Sequence, residues 1–261
     1  MDVLTPRTLD EALRLRSQHP DAWAIQGGTD VMVALNFDRG RPPALLNLNE
    51  VAELRGWTRE NGTLRLGGGL TYTEAMQPEL AEALPALAEA ARTVGSPQIR
   101  NRGTIGGNLG TASPAGDALP PLLVRGAEVE IASVRGVRTL TLREFLVGPK
   151  RNALEADELV TAVRMRAAEG AETFMKVGPR NAMVIAVVSL ALRVENGELR
   201  ASFGSAGPVA GLVSAPLADR GSFPEQVAAA ASPIDDVRGT AAYRRHALRV
   251  LTTRALERCL A

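Results

Sequence analysis

Two stretches of this 261-residue chain have the residue types to grip a ligand: Gly27-Gly28-Thr29-Asp30 and Thr104-Ile105-Gly106-Gly107-Asn108. Each sets an adjacent glycine pair among small polar side chains. Glycine lets backbone N–H groups approach a ligand closely and adopts positive φ without strain. Successive N–H groups in such a turn form a concavity suited to an anion. Ser113-Pro114 and Gly116-Asp117 follow the second stretch closely. Taken singly, a glycine pair is first of all a tight turn. Taken together, two such segments suggest two loops closing on one phosphate-rich ligand. A third run, Gly67-Gly68-Gly69, reads equally as a strand-end turn or as a ligand-facing loop.

Other chemistry is scarce. The two histidines, His19 and His246, lie far apart and match no metal-ligand spacing. A Ser-His-Asp arrangement has no candidate set. The single cysteine, Cys259, allows no internal disulfide and no thiolate iron–sulfur cluster, which takes about four cysteines. No G-x-G-x-x-G follows a strand and no Walker A sequence exists, which argues against a Rossmann or P-loop site. Redox chemistry with a borrowed cofactor fits better, because the cofactor brings the reactivity and the protein supplies binding and electrostatics.

Composition sets outer bounds. Hydrophobic residues make up 45% of the chain, enough for a real core, and the formal net charge is +1. Acids and bases are interspersed, so neither a nucleic-acid nor a membrane-surface partner is expected. Lys150 and Lys176 are the only lysines. Asp2 and Arg7 precede any apolar run, so no signal peptide is expected. No uninterrupted apolar run is long enough to span a bilayer. A cytoplasmic protein is the expectation.

The elements that must position the glycine stretches read as follows. Thr8-Leu9-Asp10-Glu11 is a capping box that predicts a helix to about residue 17. Short strands are predicted over 22–25, leading into Gly27-Gly28, and over 44–48. Asn61-Gly62 marks a hairpin within 54–66. Leu80, Leu84, Leu87 and Ala91 recur at helical spacing, predicting one amphipathic helix over 79–94 that ends at Gly95-Ser96-Pro97. A short turn or helix is expected over 117–124, a hairpin over 128–142 with Arg135-Gly136 at its tip, and a strand over 159–165, broken at 167–170. Beyond it come a strand over 184–194, the turn Asn196-Gly197, a strand over 199–203, an irregular stretch over 206–224 and a helix over 225–231. A last helix, capped by Asp236 or Thr240, puts Leu248, Leu251, Ala255 and Cys259 on one face. Hairpins and isolated helices without regular strand–helix alternation predict α+β rather than a doubly wound sheet.

In combination these residues resemble the flavoprotein subunit of the molybdenum hydroxylases, the group that includes carbon monoxide dehydrogenase medium subunits and the flavin domain of xanthine dehydrogenase. The resemblance rests on Gly27-Gly28-Thr29-Asp30, on Arg100-Asn101-Arg102-Gly103 continuing through Asn108, and on Ser113-Pro114 with Gly116-Asp117. Phe174-Met175-Lys176 with Arg180, 233–239, and Tyr243-Arg244-Arg245 extend it through the chain. It implies a two-lobed FAD-binding domain of the vanillyl-alcohol-oxidase-like type over 1–166, its lobes split near residue 55. A small α+β domain with an antiparallel sheet follows over 167–261.

The resemblance also assigns roles. Ile25, Gln26, Gly27, Gly28, Thr29 and Asp30, with Thr104, Ile105, Gly106, Gly107 and Asn108, would cradle the FAD pyrophosphate. Backbone donors to charged acceptors are among the stronger hydrogen bonds. Asp117 matches a position at the nucleotide end, where a carboxylate suits ribose hydroxyls. Val160 matches a position near the flavin ring, and Lys176 one beside the isoalloxazine, where a cation would stabilise its reduced, anionic form. Neither His19 nor His246 is placed to attach flavin, so FAD is expected to be non-covalent. One departure stands out: Val184 occupies a place where the family usually carries Asp, which leaves the electron acceptor open. The implied partners are an iron–sulfur small subunit and a molybdenum-cofactor large subunit. A stand-alone flavin-dependent oxidoreductase is the alternative; it would need its own general base, and none is evident.

Overall fold

The computed structural model describes residues 1–167 and 169–261. The chain mixes helices and strands in three principal sheets. The first is parallel, in the order Asp2–Leu4, Ala44–Asn47, Trp23–Ile25. Helix Leu9–Gln18 packs on it through Ala12 and Leu13, beside Leu46 and Leu48. Thr8 caps that helix, its hydroxyl accepting the Glu11 amide at 3.2 Å. The second sheet is antiparallel, in the order Trp57–Glu60, Thr63–Gly67, Leu159–Arg166, Glu128–Ser133, Gly136–Thr141. Asn61 and Gly62 both take positive φ, 49° and 71°, which is the twist a two-residue hairpin needs. Leu64, Leu66, Val129, Ile131 and Val163 meet Leu80, Leu87, Ile105 and Leu109 in the largest apolar cluster.

The third sheet is also antiparallel: Ala171–Val177, Val188–Glu195, Glu198–Gly204 and Gly211–Pro216. Helices Phe223–Ala230 and Ala241–Leu260 cover it, with Leu248, Leu251 and Ala255 buried and Cys259 packed at the edge. Thr240 caps the long helix by accepting the Tyr243 amide at 3.1 Å. Two carboxylates stitch this sheet to helix Pro85–Thr93. Glu89 accepts from the Thr173 hydroxyl (2.8 Å) and the Phe174 amide (2.7 Å). Glu172, buried, accepts from Arg125 (2.6 Å), Arg193 (2.8 Å) and the Ala86 amide (3.3 Å). Among the described residues no helix is long and apolar enough to cross a membrane.

The structure corrects several expectations. The segment 79–94 is two helices, Pro78–Ala83 and Pro85–Thr93. Pro85 lacks an N–H and its ring clashes with the preceding turn, so the chain breaks at Leu84. The strand expected over 184–194 begins only at Val188. The stretch 206–224 contains a fourth strand, Gly211–Pro216, which the glycines and prolines around it disguise. Strand Ala171–Val177 and helix Val31–Asn36 lay outside the sequence reading. Part of the break expected at 167–170, Ala168, lies outside the described residues.

Candidate functional site

A cleft of about 720 Å³ opens where the parallel sheet meets the helix Ile105–Thr111 and the loop that follows it. That volume falls within the range of small-molecule sites, about 300–1,000 Å³. Strand Trp23–Ile25 delivers the first glycine turn to its wall, and helix Val31–Asn36 leaves from the turn. Gly27 presses against the end of helix Pro97–Arg102: a Cβ there would collide with the Arg102 carbonyl. Gly28 is the residue of these two stretches with a left-handed backbone, φ +76°. The amides of Gly27, Gly28 and Thr29 find no acceptor among the described residues. The carboxylate of Asp30 accepts the Thr111 hydroxyl at 3.1 Å, tying the first stretch to the second.

The second stretch is not a loop. Thr104 is an N-cap and Ile105–Thr111 is a helix. Its first amides are spoken for. Ile105 donates to the Leu70 carbonyl (2.9 Å), Gly106 to the Gly68 carbonyl (2.8 Å) and Asn108 to the Thr104 carbonyl (3.0 Å). Gly107 donates to the Thr104 hydroxyl at 3.0 Å. Gly106 is where two backbones touch, since a Cβ would sit 2.5 Å from the Gly68 carbonyl oxygen. Gly107 differs: a Cβ there meets only the Thr104 hydroxyl, at 3.0 Å. The run Gly67-Gly68-Gly69 stays outside the cleft lining, its amides bonded to Gly56, Thr161 and Leu54 carbonyls. It serves close packing.

Two acceptor atoms at the cleft lack partners among the described residues, the buried Oδ1 of Asn108 and the buried Oδ1 of Asp117. The other oxygen of Asp117 accepts from Lys176 Nζ at 2.6 Å, and Lys176 also donates to the Thr93 carbonyl at 3.2 Å. Burial pushes the Asp117 carboxyl up, and the Lys176 ammonium opposes that shift. Also lining the cleft, the buried Glu158 accepts two 2.6 Å hydrogen bonds from Arg138, which hold its carboxyl below the usual range.

Of the residues singled out from the sequence, Gln26, Gly27, Gly28, Thr29, Asp30, Thr104, Gly106, Gly107, Asn108, Asp117 and Val160 line this one cleft. Three do not. Ile25 is half-buried beside Gly28, and Ile105 is fully buried in the core. Lys176 is buried behind Asp117 and reaches the cleft only through that carboxylate. The sequence reading missed Tyr72, Glu158 and Ile185 as cleft residues. Only Tyr72 carried a signal, standing just after the third glycine run.

The chain resembles proteins already characterised by name or structure. Residues 1–165 match the family described as the FAD binding domain in molybdopterin dehydrogenase. The chain is 37% identical over 212 residues to the xanthine dehydrogenase FAD-binding subunit of Escherichia coli O157:H7, covering 77% of this chain and 72% of that one. It is 37% identical over 205 residues to the nicotinate dehydrogenase FAD-subunit of Eubacterium barkeri, covering 75% and 69%. A chain of carbon monoxide dehydrogenase from Hydrogenophaga pseudoflava has the same fold, with a TM-score of 0.92 over 100% of this chain and 97% of that one, at 24% identity.

Proposed function

The chain belongs to the FAD-binding domain family of the molybdopterin dehydrogenases, and from that premise we propose that it is the flavin-carrying electron-transfer subunit of a molybdenum-containing hydroxylase. In this reading it takes electrons from a two-iron iron–sulfur partner and passes them to an external acceptor. Substrate oxidation belongs to a molybdenum-cofactor chain, and the assembly works in the cytoplasm. The supporting relatives are FAD subunits of named dehydrogenases. The fold reading is a two-lobed vanillyl-alcohol-oxidase-like domain over 1–166 followed by a smaller α+β domain over 167–261.

The observation that carries the cofactor assignment is the mismatch of polar groups at the cleft. Three unpartnered amides at Gly27, Gly28 and Thr29 ask for an acceptor, and a pyrophosphate offers charged oxygens to them. The free Oδ1 atoms of Asn108 and Asp117 ask for donors, and ribose or ring N–H groups offer them. When bound, FAD supplies the electron exchange itself. The chain's contribution is to hold it, to orient it through Asp117 and Asn108, and to flank it with the apolar side chains of Val160, Val184 and Ile185. Neither histidine nor the cysteine lines the cleft, which supports a non-covalent flavin.

The test is co-purification. The tagged chain, expressed in its native host, should bring down a cysteine-rich small chain and a large molybdenum-cofactor chain, and alone it should bind FAD without oxidising substrate. Recovery of this chain by itself, with turnover by the purified protein, would favour the stand-alone oxidoreductase instead.

A further inference from the structure

One buried polar group at the cleft is still without a role. Tyr72 opens the short helix Tyr72–Ala75, and its side chain lines the cleft while only 4% of the residue is exposed. Its hydroxyl makes no hydrogen bond among the described residues. A tyrosine buried to this degree ordinarily finds a partner for its O–H. The described residues offer none, and the hydroxyl is not among the fully enclosed unpartnered atoms, so it stays open for an acceptor on whatever occupies the cleft.

The position narrows what that is. The Tyr72 amide donates to the Gly103 carbonyl at 3.1 Å, and a Cβ on Gly103 would stand 3.2 Å from the phenol ring. Gly103 in turn backs the first glycine turn, since a Cβ on Gly27 would lie 3.0 Å from its Cα. On the other side, Thr71 pairs with Thr104, the cap of helix Ile105–Thr111. The phenol therefore stands where the two glycine segments converge. Burial and the carboxylates of Asp117 and Asp30 push its pKa far above the usual value, so it is a donor and never an anion at working pH.

We propose that the Tyr72 hydroxyl donates a hydrogen bond to the pyrophosphate of the bound cofactor, completing the donor set begun by the amides of Gly27, Gly28 and Thr29. This rests on the FAD reading. A neutral phenol serves here because it brings a donor to the anion without burying another charge among Asp30 and Asp117.

The test is Tyr72→Phe in the full chain, with FAD affinity read from flavin fluorescence and ADP affinity from competition. ADP carries the pyrophosphate without the flavin. Affinity for both should fall about tenfold, as expected for one hydrogen bond to a charged oxygen. The melting temperature of the flavin-free protein should not fall, because the hydroxyl has no partner among the described residues. Unchanged affinity for both ligands would overturn the assignment. Loss on FAD with ADP unchanged would move the hydroxyl off the pyrophosphate and overturn it equally. Failure of the wild-type chain to bind FAD at all would instead strike the parent reading.

Discussion

Lys176 offers the sharpest test, because sequence and structure give it different jobs. The family resemblance sets it beside the flavin ring; the structure buries it against Asp117, with 6% and 8% of the two side chains exposed. At that burial solvent screening is slight. Lys176→Met would leave the Asp117 carboxylate buried without its cation, a loss of about 3–5 kcal/mol when one partner of a buried pair is removed. For a chain of this size that lowers the melting temperature by roughly 6–20 °C. Asp117→Asn/Lys176→Met, neutral at both positions, should recover much of that loss, so the two substitutions couple by about 2–3 kcal/mol. Burial already raises the Asp117 carboxyl above its unfolded value, and removing Lys176 raises it further. A carboxyl with a raised folded pKa destabilises at high pH and is relieved as pH falls through that pKa. The deficit of Lys176→Met should therefore shrink on acidification. Urea or thermal unfolding of the wild-type, single and double variants at pH 8 and pH 5 measures all of this. Simple additivity, or a deficit indifferent to pH, would refute the pairing argument; a shifted flavin potential with unchanged stability would return Lys176 to the ring.

Gly106→Ala should destabilise the fold by about 1–3 kcal/mol, since its Cβ would overpack the Gly68 backbone, and a melting curve without FAD measures it. Gly107→Val should shift that curve less than Gly106→Ala, because the better helix propensity of Val offsets its 3.0 Å contact with the capping Thr104 hydroxyl, a side chain that can give. It should still weaken FAD at least roughly tenfold by filling the cleft beside Thr104, and full flavin occupancy would contradict this. Asp236 accepts from Arg244 (2.6 Å), which is buried, and from Arg238 (2.7 Å), and these hold its carboxyl well below the usual range. Its contribution is therefore present at neutral pH and lost as pH falls through that lowered value. Asp236→Ala should cost about 3 kcal/mol at pH 7, with a smaller difference in strong acid, followed by chemical denaturation. Acid precipitation should release the chromophore into the supernatant as FAD, and colour retained in the pellet would contradict a non-covalent flavin.

The sequence was most legible where one local rule suffices. Asn61-Gly62 and Asn196-Gly197 both take the positive φ values their hairpins require, and Thr8 and Thr240 cap the helices they precede. It was least legible where two rules compete. The apolar spacing of 79–94 is continuous, yet Pro85 interrupts the backbone beneath it. In Gly211–Pro216 the terminal residues argue against a strand; pairing with Glu198–Gly204 overrides them because the segment sits at the sheet's edge. Tyr72 had only its place after the third glycine run to mark it, because nothing local tells a phenol facing a cleft from one facing a core; its missing partner does.

The same limit explains why the two glycine pairs looked alike and are not. By composition, Gly27-Gly28 and Gly106-Gly107 promise equal sets of amides. What an anion meets depends on which amides the fold has left over. Around Gly106 the chain must close a helix and bring two backbones together, and the amides of Ile105, Gly106, Gly107 and Asn108 go to that work. Around Gly27 the turn presses on Arg102 and Gly103 without consuming its own donors, and its three amides remain for a ligand. In the proposed FAD reading, the first pair is therefore the electrostatic half of the cradle. The second contributes shape and the unpartnered Asn108 oxygen. It follows that removing donors at the first pair should cost affinity for phosphate-bearing ligands, while substitutions at the second should discriminate by size.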